Sequence, residues 1–388
     1  MAFSGRQPGT RYLAAGVLQP SGLSLNFHRQ YNGYTVRLLE DAAERAQFEL
    51  ELAQSGIILP MPHRCSWIQA QPSAHIAVFG IRDSAGKAVH AIPLVMIRRR
   101  VLPGHTHGWV ERFRPTDDAS TEAGLRALVD FSRMQPGLLG IHLEVFSREA
   151  DTRGSTGRIA TQLGFCRCAK PRNYTRTVSV DLAPDESSIL ASFHPTARRH
   201  IRALNKHGLL VQPITNPGCA GRMSELVYET MSRTGGHSFD IDWKLVIDLS
   251  IRYPDQSRIV GIFSNGGLDP ASLLAFAWGR HHGDHAEYSV AASTRSADLK
   301  LPLGYAPAWD LMCWAKRSGA TWFDFGGISA GNHGSADPVG GISDFKRYFS
   351  KNMIAVGEEW TFNAKPFRTR LARVLGRVAT WARNPRAR

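Results

Sequence analysis

The sequence predicts an α+β protein, mixed α/β in composition, made of two tandem domains, each a mostly antiparallel sheet flanked by helices, with a basic C-terminal helix added. Length is the first reason: 388 residues are too many for one ordinary hydrophobic core and suit two. Composition is the second, because 43% apolar and 21% charged residues are those of a soluble globular chain with ample apolar surface to fold on. The third is a succession of helix and strand patterns that runs through the first half and then restarts. Each half closes on a helix–glycine–aromatic–strand passage, IATQLGFCRC in the first and WAKRSGATWFDF in the second. Sequence identity between the halves is weak, so the repeat is one of pattern.

Residues 1–32 are rich in Gly, Ser, Pro and Gln, lack periodicity and read as a flexible arm. The first domain, 33–180, opens with a strand at Tyr34–Leu39 and a helix over Asp41–Ser55, capped by Asp41 and stopped by Gly56. Strands follow at His75–Arg82 and Ala88–Arg100, joined by the turn DSAGK. Next come a helix over Thr121–Met134, a strand at Ile141–Val145, a helix over Thr156–Leu163 ended by Gly164, and a strand-like run from Phe165 to Val180. The second domain, 181–364, begins near Asp181. Helices are expected over Asp185–Ser192 and Pro195–His207, a strand at Leu209–Pro213, and helices over Arg222–Arg233 and Trp243–Arg252. Arg258–Ser264 and Leu273–His281 form a hairpin around NGGLDP, and a strand at His285–Ala292 follows the HHGD turn. A helix over Ala306–Arg317, a strand at Trp322–Phe325 and a short element from Phe345 to Phe349 complete it. Residues 365–388 form a basic amphipathic tail.

The net charge of +14 favours polyanionic partners: nucleic acid, anionic lipid or phosphorylated substrates. From Lys365 to Arg388 there are one lysine and seven arginines with no acid, which is +8 of that excess. In the tail, Phe367, Leu371, Val374, Leu375, Val378 and Trp381 recur at helical spacing between the arginines, a pattern that suits an anionic membrane surface, an RNA backbone, or packing on the body of the protein. The five cysteines are an odd, scattered set with no Cys-x-x-Cys and read as reduced thiols. No apolar signal region opens the chain, and its longest apolar run, Ala91–Ile97, is far too short to span a bilayer. The expected location is cytoplasmic, or peripheral at the inner face of the membrane.

Four stretches offer chemistry. The first is WFDFGGI, with FKRYF downstream. Asp324 sits among core aromatics, Gly326 and Gly327 would let backbone N–H groups approach a ligand, Phe345 could stack on a base, and Lys346 could neutralise a phosphate or an oxyanion. The plainer alternative is a surface loop with an ordinary lysine. The second is HPTARRHIRALNKHG, where Arg198, Arg199, Arg202 and Lys206 largely share one helix face that can grip phosphates, or is simply solvated. The third is His281, His282 and His285, too few ligands in a hairpin turn for a good zinc site. Asp240 and Asp242, spaced to share a strand face, are candidates for holding an acceptor amine. The fourth is the tail. No P-loop, dinucleotide fingerprint or Gly-x-Ser-x-Gly is present.

In order along the chain, TARRHIRALNKHGLLV, YETMSRTGGHSFD, LKLPLGYAPAWDLMCWAKRSGATWFDFGGI and GISDFKRYF resemble the Fem family of peptidoglycan interpeptide-bridge aminoacyltransferases. CSWIQA, RRRVLPG and LGFCRC with NYTRTVSVDL extend the resemblance to roughly residues 34–362. It implies two tandem domains of the N-acetyltransferase (GNAT) type. It also implies transfer of an aminoacyl group from aminoacyl-tRNA to an amine on a peptidoglycan or other envelope precursor, with no bound cofactor and no metal. The Phe-Lys pair lies at the active site of that family, so Phe345 and Lys346 inherit that role, with Asp324 or Asp344 assisting the amine proton and Trp67 on the substrate side. No long helical hairpin interrupts the second domain, which is the FemX pattern rather than that of FemA. The alternative donor is acyl-coenzyme A, against which stands the missing Arg/Gln-x-x-Gly-x-Gly/Ala pyrophosphate loop. A third class, a non-enzymatic RNA- or membrane-binding module, would place the activity in the tail.

Overall fold

The computed structural model describes residues 27–71, 74–99, 102–234, 240–264, 267–295, 301–329 and 340–383. The chain divides into two compact units, one running up to Pro171 and resuming at Gly357, the other built on Arg172–Val356. In the first unit, β1 (His28–Tyr31) and β2 (Tyr34–Leu38) form a hairpin through Asn32 and Gly33, both at positive φ. The expected arm therefore includes a strand at its end; its residues 1–26 lie outside the described residues. Helix α1 (Ala42–Gln54) is capped by Asp41, whose side chain accepts from Glu44 N, and is followed by Gly56 at φ +76°. Helix α2 (Cys65–Gln69) and strands β3 (His75–Arg82), β4 (Ala88–Arg98) and β5 (Thr106–Phe113) come next. After them run α3 (Asp118–Met134), β6 (Leu138–Phe146), α4 (Ala150–Gln162) and the short β7 (Cys166–Arg167). The strands alternate. Ala77, Phe79 and Ile81 enter the core with Leu125, Leu128 and Phe131, while Val78 joins Phe48 and Leu52 on the opposite face.

The second unit contains β8 (Arg176–Asp181), α5 (Glu186–Ser192), α6 (Pro195–Lys206), β9 (Val211–Pro213), α7 (Cys219–Thr234) and α8 (Trp243–Arg252). It continues with β10 (Ser257–Phe263), β11 (Leu273–His281), β12 (His285–Ser293), α9 (Tyr305–Arg317), β13 (Trp322–Gly327), α10 (Gly340–Arg347) and β14 (Met353–Ala355). The sheet order is β14-β8-β13-β12-β11-β10-β9, antiparallel except for β12 and β13. Its core gathers Val180, Leu311, Trp314, Phe323, Phe325 and Phe349.

Then the chain returns. Strand β15 (Gly357–Phe362) pairs antiparallel with β6 from Gly357↔Phe146 to Phe362↔Ile141, and β7 pairs with it on its other side. The first sheet is thus β1-β2-β3-β4-β5-β6-β15-β7, with β5 and β6 parallel. Helix α11 (Pro366–Arg383) follows and is tied to the first unit by Lys365 Nζ to Arg133 O at 2.8 Å and Arg368 Nη1 to Pro136 O at 3.1 Å. A single second domain running to residue 364 does not match this division. The apolar Trp360 and Phe362 complete the first unit's core. The strand-like run from Phe165 to Val180 is likewise two strands, β7 and β8, in two different sheets.

Candidate active site

Helices and strands of the second unit converge where β12 and β13 part. Their parallel pairing covers His285↔Trp322, Ala286↔Phe323 and Glu287↔Asp324 and then ends, although both strands run on. Gly326, at φ +71°, turns β13 away, and the β8–β13 ladder is irregular between Asp324 and Gly327. A Cβ at Gly326 would lie 3.6 Å from Tyr288 O and 3.8 Å from Lys346 Nζ. The ammonium therefore sits in the gap between the parting strands.

Lys346 is carried by α10 and is 8% exposed. Its Nζ donates to Gly327 O at 2.5 Å. Burial depresses its pKa to about 8, with the nearby carboxylates of Asp324 and Glu287 pulling the other way. The helix is pinned to the end of β13: Ser343 Oγ accepts from Ser329 N at 3.0 Å, and Arg347 Nη2 donates to Ser329 O at 2.7 Å. Residues 330–339, the polar stretch of sequence between them, lie outside the described residues.

Asp324 is completely buried. Its Oδ1 accepts from Gly326 N at 2.7 Å and its Oδ2 from the Tyr174 hydroxyl at 2.7 Å. The same hydroxyl lies 3.0 Å from Glu287 Oε1, and the other Glu287 oxygen is held by Arg280 through Nε at 2.9 Å and Nη2 at 2.6 Å. The buried Arg280, Glu287, Asp324 and Lys346 and the half-buried Tyr174 thus form one connected group with two formal charges of each sign. Phe345 is half-buried on an aromatic shelf, 4.9 Å from Tyr305 and 5.3 Å from Phe349 between ring centroids.

The remaining candidates fall in several places. Asp344 pairs with Arg347 one turn along the same helix, 2.9 Å away. The Gly326 N–H is committed to Asp324 and so is not open to a ligand. Arg199, Arg202 and Lys206 share an exposed face of α6, and Arg199 lies near enough to Tyr305 to act on its phenol electrostatically. Arg198 instead donates to Ala191 O, at the end of α5. Asp242 is the N-cap of α8, and Asp240 is exposed in the loop before it, so the two do not share a strand face. Trp67 belongs to the first unit, buried on α2 at 3% exposure. His281, His282 and His285 are buried. His282 stacks on His285, and its Nε2 stands 3.4 Å from Glu287, which makes it a packing neighbour of the charged group. Sequence reasoning missed Tyr174, Glu287, Arg280 and Tyr305. Glu287 carries a faint signal, the one acid in a stretch read as strand, whereas Tyr174 carries none.

No protein-family model and no curated protein sequence matches the chain. Among solved structures, FemX superposes on 86% of this chain and 98% of its own at TM-score 0.69 and 16% identity. L-PGS from Bacillus licheniformis covers 85% of this chain and 96% of its own at TM-score 0.46 and 15% identity. At these identities the likeness is one of fold: the chain has the tandem N-acetyltransferase-like fold of FemX, the fold that the sequence motifs imply.

Proposed function

We propose that the chain is an acyltransferase that moves an aminoacyl group from aminoacyl-tRNA to an amino group of a peptidoglycan or other cell-envelope precursor. The observation that carries this reading is the Lys346 ammonium, buried in the gap between β12 and β13 with the aromatic shelf of Phe345 next in sequence. Attack of the acceptor amine on the aminoacyl ester forms a C–N bond and a tetrahedral oxyanion. Collapse breaks the bond to the ribose oxygen. The proton lost by the amine equals the one gained by the leaving hydroxyl, so the step needs no net base and no activation by a nucleotide. Lys346, mostly protonated at neutral pH with a pKa of about 8, stabilises the oxyanion in a site where low dielectric strengthens the interaction. Asp324 and Tyr174 position the end of β13 rather than take the proton, because the oxygens of Asp324 already accept from Gly326 and Tyr174. Phe345 stacks on a terminal base, and the exposed Arg199, Arg202 and Lys206 face holds phosphates.

Helix α11 supports an attachment to an anionic membrane surface. Phe367 is 82% exposed, and Leu371, Val374 and Leu375 are exposed beside it, with Arg368 and Arg370 in the same turns. Among the described residues no helix is long and apolar enough to cross a membrane.

The test is loss of labelled amino acid from bulk aminoacyl-tRNA in the presence of an envelope-precursor extract, for wild type and Lys346→Ala, with an acyl-coenzyme A control read by thiol release. Extract-dependent transfer that disappears in the variant is the expected result. Thiol release without transfer from tRNA would assign the donor to coenzyme A, and full transfer by Lys346→Ala would remove Lys346 from the reaction.

A further inference from the structure

The first unit holds a second buried polar group, outside the site just described. On one face of its sheet, β15 sets Glu359 directly across from Glu144 of β6 and Thr361 across from His142. On the other side of β15, the Cys168 N–H continues the ladder beyond β7 by donating to Glu359 O at 2.8 Å. Cys168, Glu359 and Glu144 therefore form one cross-strand row, with His142 the diagonal neighbour of Glu359. His142 is 2% exposed and Glu359 3%, and His142 Nε2 stands 2.8 Å from Glu359 Oε2. One ligand atom each from His142, Cys168 and Glu359 lies within 4.8 Å of the others. The imidazole is fixed by Trp109, stacked on it at 3.9 Å between ring centroids.

We infer that His142, Cys168 and Glu359 form a zinc site that clamps the returning strand β15 and the end of β7 to β6. Imidazole nitrogen, thiolate sulfur and carboxylate oxygen are the donor set that Zn²⁺ prefers over Mg²⁺ or Ca²⁺. With Zn–N and Zn–O of about 2.0–2.1 Å and Zn–S of about 2.3 Å, tetrahedral ligands stand roughly 3.3–3.6 Å apart. Side-chain movements of little more than an ångström bring these three onto one ion, and their backbones are already held by ladder hydrogen bonds. Glu144, next in the row, offers an acid toward the fourth position, which water otherwise fills. Charge argues the same way. Glu144 has the acids Glu111 and Glu359 near it as well as the Arg112 guanidinium, and all four of these groups are buried. A divalent cation with one thiolate, one carboxylate and a neutral imidazole is a neutral unit, so it can be held in this buried place without adding net charge. The three ligands come from positions 142, 168 and 359, so no local spacing motif announces them.

The tag-free full chain tests this. After equilibration with Zn²⁺ and desalting, one zinc per chain should remain, and Cys168 should resist iodoacetamide in peptide mapping while Cys166, exposed two residues away, reacts. Replacing zinc by Co²⁺ should give a near-ultraviolet thiolate-to-cobalt band that Cys168→Ser loses and Cys166→Ser keeps. His142→Ala should weaken zinc retention by more than ~10-fold, since even an outer partner of a ligand is worth that much. Equal labelling of Cys168 with and without zinc, or absence of the cobalt band in the wild-type chain, would overturn the assignment without depending on whether any variant folds. A cobalt band that persists in folded Cys168→Ser would also overturn it.

Discussion

Replacing Lys346 by methionine should make the second unit more stable while abolishing turnover. Methionine keeps most of the side chain's length and volume and removes the charge. In the folded chain, burial of the ammonium outweighs the attraction of Asp324 and Glu287 and holds the pKa at about 8, against 10.5 for a free lysine. That difference corresponds to roughly 3 kcal/mol of unfavourable free energy for keeping the ammonium in the folded state at neutral pH. Against it stands the hydrogen bond to Gly327 O, whose loss costs about 1 kcal/mol. The net expectation is a variant more stable by about 2 kcal/mol. The pH dependence has a definite sign. Below about pH 8 folded and unfolded chains both carry the proton, and the penalty is constant. Between about pH 8 and 10.5 the unfolded chain binds more protons than the folded one, so wild-type stability rises with pH and the advantage of the variant shrinks, then reverses. Urea unfolding followed by tryptophan fluorescence, repeated across this range for both proteins, measures the gap. A methionine variant less stable than wild type at neutral pH, by an amount that does not change up to pH 10.5, would refute the reasoning and make Lys346 a structural ion-pair partner of Asp324.

Tyr174→Phe removes the hydroxyl that bonds both Asp324 and Glu287, so a loss of about 1–3 kcal/mol in urea unfolding is expected. The same variant should lower kcat on the order of 100-fold with little change in KM, because the lysine and the strand end lose their register. Gly327→Ala would place a Cβ 2.7 Å from Tyr174 Cβ, and the resulting shift should cost about 1–3 kcal/mol and be read as a lowered midpoint of unfolding. Phe367→Asp, on the exposed face of α11, should weaken co-sedimentation with vesicles containing anionic lipid about 10-fold or more while leaving transfer between soluble substrates unchanged.

Much of the fold was legible because periodicity and punctuation agreed. Strand β11 and helix α8 coincide with the stretches read as strand and helix from apolar spacing alone, and α1 ends at the glycine that marks it. Strand β5 was not found, since His107 and Gly108 interrupt its alternation and its identity comes from pairing with β4 and β6. Nor was the return of β15. Six residues of strand pattern carry no address, and which sheet they join is decided by the apolar room left beside β6. The site divides the same way. Phe345, Lys346 and Asp324 stand in short recognisable motifs. Tyr174, separated from Asp324 by 150 positions, and Arg280, matched to Glu287 across a strand pair, acquire their roles only through tertiary contact. Asp242 shows the converse: two acids at strand spacing were a helix cap and its exposed neighbour.

Each sheet contains one parallel pair, and each buries carboxylates beside it, yet only one pair opens. In the second unit the β12–β13 register stops at Glu287↔Asp324, and a glycine at φ +71° carries β13 away. In the first, β5 and β6 stay together from Thr106↔Leu138 to Phe113↔Val145 by absorbing an irregularity after Val110. Arg112 takes φ +47° there, a conformation costly for a side chain with a Cβ, and turns its N–H toward Glu144 at 3.4 Å. Its guanidinium lies 4.1 Å over the Phe146 ring, which helps hold the strained residue in place. The same problem, an acid buried at the middle of a parallel pair, is thus met in two ways. One unit keeps the strands closed with a bulge and a guanidinium. The other lets them part and fills the gap with a lysine whose proton is loosely held. Of the two arrangements, the second places an ammonium where the strands part, which is why we propose the reaction in the unit that carries Lys346.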